Sequence, residues 1–153
     1  MKEIQLTQGK TTTVDDEDFE WASKIKWNYH NGYARRNVKV NGKSVSYFMH
    51  RIITNAPGKM EVDHIDGNTL NNQRKNLRVC TTSQNQANRP KSKNNTSGYK
   101  GVSWHKKNKK WFAQVNKNGK RVFGKYFESA EEAAEAYKKA AIEHFGEFAK
   151  EKI

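Results

Sequence analysis

Apolar and polar positions alternate with period two over much of the first half of the chain. Ile4-Gln5-Leu6 and Thr12-Thr13-Val14 flank Gly9-Lys10, which predicts two short strands within 3–14 joined by a turn. Asp15-Asp16-Glu17-Asp18 then opens a short helix: Asp15 is the predicted N-cap, and the acids suit the positive end of the helix dipole. Alternation resumes at 27–29 and 33–40 around Asn31-Gly32, and Asn41-Gly42 leads into 44–49. Asn-Gly favours the two-residue hairpin because both residues accept a positive φ, so an antiparallel sheet is predicted here. His50-Arg51-Ile52-Ile53 predicts a short helix ending before Pro57-Gly58. Residues 61–65 read as a strand, 66–76 as a wide loop and 77–80 as a second strand, after which Thr81 or Thr82 caps a helix running towards Arg89.

From Gln84 to Ser97 the chain is almost wholly polar, with Pro90 and Gly98 as punctuation, so 91–96 is the predicted linker between domains at 1–90 and 97–153. Residues 99–104, 111–116 and 120–127 read as three strands, the last two closed by Asn118-Gly119. Ser129 caps a long helix whose narrow apolar stripe is Ala130, Ala133, Ala134, Tyr137, Ala141 and Phe145, and Gly146 stops it. The expected class is α+β: antiparallel strands and short helices first, then a three-stranded antiparallel sheet packed on one helix. Unbroken alternation would turn Trp111, Ala113, Val115 and Val122 to that helix. It would turn Phe112, Gln114, Asn116, Arg121, Phe123 and Lys125 outward.

Composition narrows the function. Only 34% of the 153 residues are hydrophobic, so two thin, aromatic-stapled cores are expected rather than one large one. The net charge of +13 points to a polyanionic partner. No stretch is apolar enough for a membrane span or a signal peptide. Cys80 is alone, which leaves no disulfide framework or paired-thiolate zinc site, and a cytoplasmic location is expected. Between Lys100 and Lys125 there are nine basic residues and no acid, whereas the helix after it is rich in Glu. That separation of sign turns the sheet towards the polyanion. Arg121 and Gln114 are candidates to read base edges, and Lys106, Lys107 and Lys110 to hold phosphates.

The densest chemistry lies in Val62-Asp63-His64-Ile65-Asp66-Gly67-Asn68, Asn76-Leu77-Arg78 and Gln84-Asn85. Asp63 is a hard oxygen donor for a divalent ion, and His64 can take a proton from water near neutral pH. Neighbours on a strand point to opposite faces, so sharing a site requires a strand end or a bulge. Asn76 could hold His64 across the loop, and Asn85 could return an amide oxygen to the metal. His30 and His144 read as surface or packing residues. His50 and Arg51 either support the site or contact a phosphate, or else simply cap a helix; Arg74, Lys75 and Arg78 either meet a phosphate backbone or solvate a loop.

As a whole, residues 50–88 resemble the HNH (ββα-metal) homing endonucleases of phages and introns, with the motif itself at about 60–88. Val14-Asp15-Asp16-Glu17-Asp18 and Trp27 are similar to that family's N-terminal region. The resemblance implies that Asp63 and Asn85 bind one Mg2+ or Mn2+ (zinc being disfavoured), that His64 is the general base and that Asn76 positions it. Asn85 stands where the motif commonly has His. Tyr99-Lys100-Gly101-Val102, Lys110-Trp111-Phe112-Ala113 and Ser129-Ala130-Glu131-Glu132-Ala133-Ala134-Glu135-Ala136-Tyr137 resemble the plant ethylene-response-factor (AP-two) DNA-binding domain. That domain lays its sheet in the major groove, which implies DNA contacts from Lys100, Ser103, His105, Gln114, Arg121 and Phe123, with Lys125 on the same face. The two resemblances together imply a metal-dependent homing-type endonuclease acting on double-stranded DNA. A nicking monomer with no small-molecule cofactor, in a phage-infected or bacterial cell, is the expected form. The alternative is a DNA-binding regulator whose nuclease half is inactive, against which both Asp63 and His64 are present. RNA binding is disfavoured by the absence of an exposed paired-aromatic platform.

Overall fold

The structure, a computed structural model, describes residues 1–149. By its contacts the chain divides into Met1–Cys80 and Thr81–Ile153. In the first unit β1 (Lys2–Gln5) and β2 (Thr11–Val14) pair antiparallel and lead into α1 (Asp16–Ala22). A meander of β3 (Asn28–His30), β4 (Tyr33–Val40) and β5 (Lys43–Phe48) follows. Its two turns place Asn31 and Gly32 at φ 48° and 92°, and Asn41 and Gly42 at φ 50° and 77°. Such doubly positive turns match the twist of the strands they join, which is why Asn-Gly sets this register. Then come α2 (Met49–Thr54) and the antiparallel pair β6 (Glu61–His64) and β7 (Leu77–Cys80). Ile4, Val14, Trp27, Ala34, Met49, Val62 and Leu77 bury together in one core. The Trp27 indole NH donates to the Ala22 carbonyl at 3.0 Å, so the largest buried ring also satisfies its polar edge.

Two side chains differ from their sequence reading. Asp15 stands at the N-cap of α1 but makes no capping hydrogen bond; its carboxylate accepts from the Arg74 amide and from Gln73 Nε2. The Arg74 guanidinium donates to Asp18 at 2.8 Å and pairs with Glu17, tying the wide loop to α1. The loop also lies along β2, through Thr13 N to Leu70 O and Asn72 N to Thr13 O. Arg51 donates to the Met60, Ala56 and Pro57 carbonyls, which makes it the staple of the turn after α2.

The second unit begins with α3 (Thr82–Asn88), whose N-cap Thr81 and Gln84 form a reciprocal capping box. β8 (Val102–His105), β9 (Lys110–Lys117) and β10 (Lys120–Phe127) form an antiparallel sheet in that order. α4 (Ala130–Phe145), capped by Ser129, packs its small residues on the sheet: Val102, Ala113 and Ala133 are buried, with Trp111, Phe123, Phe127 and Tyr137 against them. Gly101 is fitted to this packing. A Cβ there would lie 2.1 Å from the Tyr137 ring, and φ is +70°. The expected α+β architecture is present, and among the described residues each unit has buried apolar residues of its own.

Unbroken alternation along β10 is not. The pairing shifts between Arg121, opposite Asn116, and Phe123, opposite Val115. Val122 is the extra residue of a β-bulge and is 39% exposed, not buried as expected. The bulge reverses every later side chain. Phe123 turns into the core, and Lys125, paired with Ala113, shares that side, its ammonium 5.9 Å from the Phe127 ring. The outward placement of Phe123 and Lys125 is therefore corrected.

Candidate active site and nucleic-acid face

β6 and β7 pair without a bulge, Asp63 opposite Arg78 and His64 opposite Leu77. Asp63 is buried, and its Oδ2 accepts from Arg78 Nε at 2.8 Å while Nη2 lies 2.7 Å away. Arg78 is thus a strand residue, and its guanidinium is the ion-pair partner of a buried carboxyl group. His64 is the last residue of β6, the strand end that a shared site with Asp63 requires.

A buried relay fixes the His64 ring. Thr12 Oγ1 donates to the Leu70 carbonyl at 2.7 Å, so it can only accept from Asn72, whose Nδ2 lies 2.7 Å away. That orients Asn72 Oδ1 towards His64 Nε2 at 3.2 Å. A carbonyl oxygen only accepts, so Nε2 carries the proton and Nδ1 the lone pair. Nothing in the local sequence marks Asn72 above the other asparagines of the loop; its hydrogen bonds to Thr12, Thr13 and His64 are decided by β2 and the end of β6. Two further rings flank His64: His50, with centroids 5.2 Å apart, and Tyr33 at 6.1 Å. Burial first, and then the neighbouring His64 and Arg51, pushes the His50 pKa down to about 3, so this ring is neutral. Its buried Nδ1 has no hydrogen-bond partner.

Asn76, assigned from the sequence to hold His64, builds the adjoining turn instead. It accepts from the Asp66 amide at 3.0 Å and donates to Asp66 Oδ1 and to the Asn71 carbonyl, each at 2.9 Å. Burial raises the Asp66 carboxyl, but hydrogen bonds from Asn71, the Asn68 amide and Asn76, with His64 nearby, hold it below the usual carboxylate range. Asp66 and Asn76 together lock the chain as it leaves His64.

Asp63 offers a carboxylate oxygen and Asn85, on α3, an amide oxygen, donors that suit a hard cation. Cys80 does not compete: burial, then the charges of Asp63 and Glu61, push its thiol up to about 11, which disfavours the thiolate that zinc needs. Asp15, Glu17 and Asp18 also converge, but Arg74, Gln73 and the Trp21 indole engage them.

On the second unit the register defines the face turned away from α4: Ser103, Phe112 and Tyr126 in one row, His105 with Lys110, Gln114 with Gly124, and Asn116 with Arg121. The Arg121 guanidinium lies over the Phe112 ring at 5.2 Å, Phe112 meets Tyr126 at 4.7 Å and Tyr126 meets His105 at 5.2 Å. Gly124 leaves room for that stack, since a Cβ there would stand 2.8 Å from Arg121 Cδ. Tyr126 was missed because its direction depends on the bulge, and it gives the face the paired aromatics that the sequence was read as lacking. Of the expected contacts, Ser103, His105, Gln114 and Arg121 share this face, and Lys106 and Lys107 are exposed in the β8–β9 turn. Lys110 pairs with Glu128 at 2.6 Å. Lys100 turns its ammonium onto the carbonyls of Gln86, Ala87 and Arg89.

Comparison with known proteins agrees with both halves. The HNH endonuclease family model matches residues 47–87, and the AP2 domain model matches 97–147. Protein 3.8 of Escherichia phage T7 is 45% identical over 60 residues, 39% of this chain and 50% of that protein, so the chain aligns with only half of it. An uncharacterized HNH endonuclease of Acanthamoeba polyphaga mimivirus is 34% identical over 148 residues, 94% of this chain and 76% of that protein. No solved structure matches. With a viral relative aligned along nearly its whole length, and the HNH match spanning β6, β7 and most of α3, the chain belongs to the HNH endonuclease family and carries an AP2-like domain after its nuclease motif.

Proposed function

We propose that this protein is a divalent-metal-dependent, homing-type endonuclease that hydrolyses phosphodiester bonds in double-stranded DNA located by its C-terminal sheet. The observation that carries the reading is the buried relay Leu70–Thr12–Asn72–His64, which sets one tautomer on the ring beside Asp63. A loop histidine with a packing role needs no such constraint, whereas a general base needs its lone pair on one known nitrogen. His64 Nδ1 takes the proton of a water, and the resulting imidazolium keeps its Nε2 hydrogen bond to Asn72, with the Asp66 carboxylate close enough to favour the charge. Asp63, ion-paired with Arg78, and Asn85, assigned by its place in the motif, would hold one Mg2+ or Mn2+. When bound, that ion supplies charge relief at the phosphoryl oxygens and the leaving group.

Arg121 and Gln114 read base edges, His105 and Ser103 assist, and Lys106 and Lys107 grip phosphates. One catalytic constellation per chain favours nicking by a monomer, in the cytoplasm of a bacterial or phage-infected cell. The test is nicking of supercoiled plasmid with Mg2+ or Mn2+, with and without chelator, comparing wild type and His64→Ala. Metal-dependent nicking lost in His64→Ala is the expected result. DNA binding without cleavage under any metal returns the inactive-regulator reading.

A further inference from the structure

The helix that carries Asn85 is held by the domain that resembles a DNA reader. α3 is seven residues long, too short to persist in water on its own propensity. Its first turn is closed by Thr81 and Gln84, but its last turn lacks the usual glycine: the C-cap is Arg89 in extended conformation, and one weak bond, Arg89 N to Gln86 O at 3.3 Å, ends the ladder. The remaining terminal carbonyls need donors. Lys100 meets part of this need, its Nζ reaching Ala87 O at 2.5 Å, Gln86 O at 3.5 Å and the carbonyl of the C-cap residue Arg89. A cation there also suits the negative end of the helix dipole. At the opposite end the amide of Asn118, in the β9–β10 turn with φ 52°, donates to Ser83 Oγ at 2.7 Å. Asn85 lies between these two tethers. Both come from residues within the AP2 match, and the contacts of the chain group α3 with that unit.

We propose that the DNA-binding domain is a positioning element of the nuclease: Lys100 and the Asn118 turn fix α3, and through it Asn85. Lys100 is a positioning residue, a role that rests on the reading of Asn85 as a metal ligand. The domain then does more than find the site, since the helix completing the motif takes its anchorage from it.

The test uses the full-length chain as wild type, Lys100→Met, and Lys100→Arg, which keeps a cation. Amide hydrogen exchange over 83–88 should quicken about tenfold in Lys100→Met and recover in Lys100→Arg, while exchange in β6 and β7 stays as in wild type. The Mn2+ concentration for half-maximal plasmid nicking should rise about tenfold, as when a group supporting a metal ligand is lost. The slope of log affinity for DNA against log salt should not change. Unchanged exchange in α3 overturns the proposal. So does a slope shallower by about 0.9 with an unchanged Mn2+ midpoint, the signature of a lost phosphate contact. If the wild type nicks nothing, the endonuclease reading fails by itself, and the exchange rates still decide whether Lys100 holds α3.

Discussion

Replacing Asn72 by Leu, nearly the same shape without its polar atoms, tests the tautomer argument directly. Two hydrogen bonds disappear, to His64 Nε2 at 3.2 Å and to Thr12 Oγ1 at 2.7 Å. Each leaves a buried polar atom unpaired, at about 1–3 kcal/mol apiece. Apolar burial of the new side chain offsets about 1.5–3 kcal/mol of that. The net loss of at most about 4.5 kcal/mol lies below the 5–15 kcal/mol typical of a domain, so the variant should fold in the cold with a lowered melting point. Activity should fall much further, about 100-fold or more, because a general base contributes about 10²–10⁴ and works only from the correct nitrogen. Imidazole nitrogen shifts from 15N-histidine spectra report the tautomer. Wild type should show His64 protonated on Nε2, and Asn72→Leu a mixture. A wild-type spectrum with the proton on Nδ1, or a folded Asn72→Leu that nicks at the wild-type rate, would refute the reasoning.

Three other outcomes are expected. Arg78→Met leaves Asp63 as a buried carboxylate without its cation, a loss on the order of 3–5 kcal/mol that thermal melting at neutral pH should register as a clear drop. His50, held neutral with a pKa of about 3 against an ordinary 6.5, costs stability as pH falls from 6.5 towards 3, because only the unfolded chain gains the proton there. Urea midpoints of His50→Phe should therefore fall less than wild type between pH 6.5 and about 4.5, by a difference on the order of 2 kcal/mol; parallel curves would show that His50 is not buried neutral. Arg121→Ala should reduce the salt slope of DNA binding by about 0.9 with an unchanged melting point, whereas Phe123→Ala should lower the melting point by the equivalent of about 2–3 kcal/mol. The reverse pattern would mean that the bulge at Val122 is misplaced.

What was legible in the sequence is what local chemistry decides. The Asn-Gly turns set the hairpins, Thr81 and Ser129 set the starts of α3 and α4, and 77–80 and 120–127 read as strands with the limits they have. Asp63 and His64 stand out as candidates because a carboxylate beside an imidazole is a local pattern. Their partners were not, since each is chosen by pairing or by enclosure. Arg78 meets Asp63 only through the β6–β7 register, and Asn72 is selected over Asn76 only because β2 brings Thr12 beneath the loop. The second domain fails more instructively. One extra residue at Val122 carries no mark in composition or hydropathy, yet it exchanges the outward set of β10 from Phe123 and Lys125 to Gly124 and Tyr126. Without the bulge the outward set of β10 reads as Arg121, Phe123 and Lys125; with it, Arg121 rests on an aromatic patch of Phe112, Tyr126 and His105. A guanidinium braced on a ring loses less freedom on binding than one waving in solvent, so the same bulge that hid the face from the sequence also pre-orders Arg121, its proposed reader.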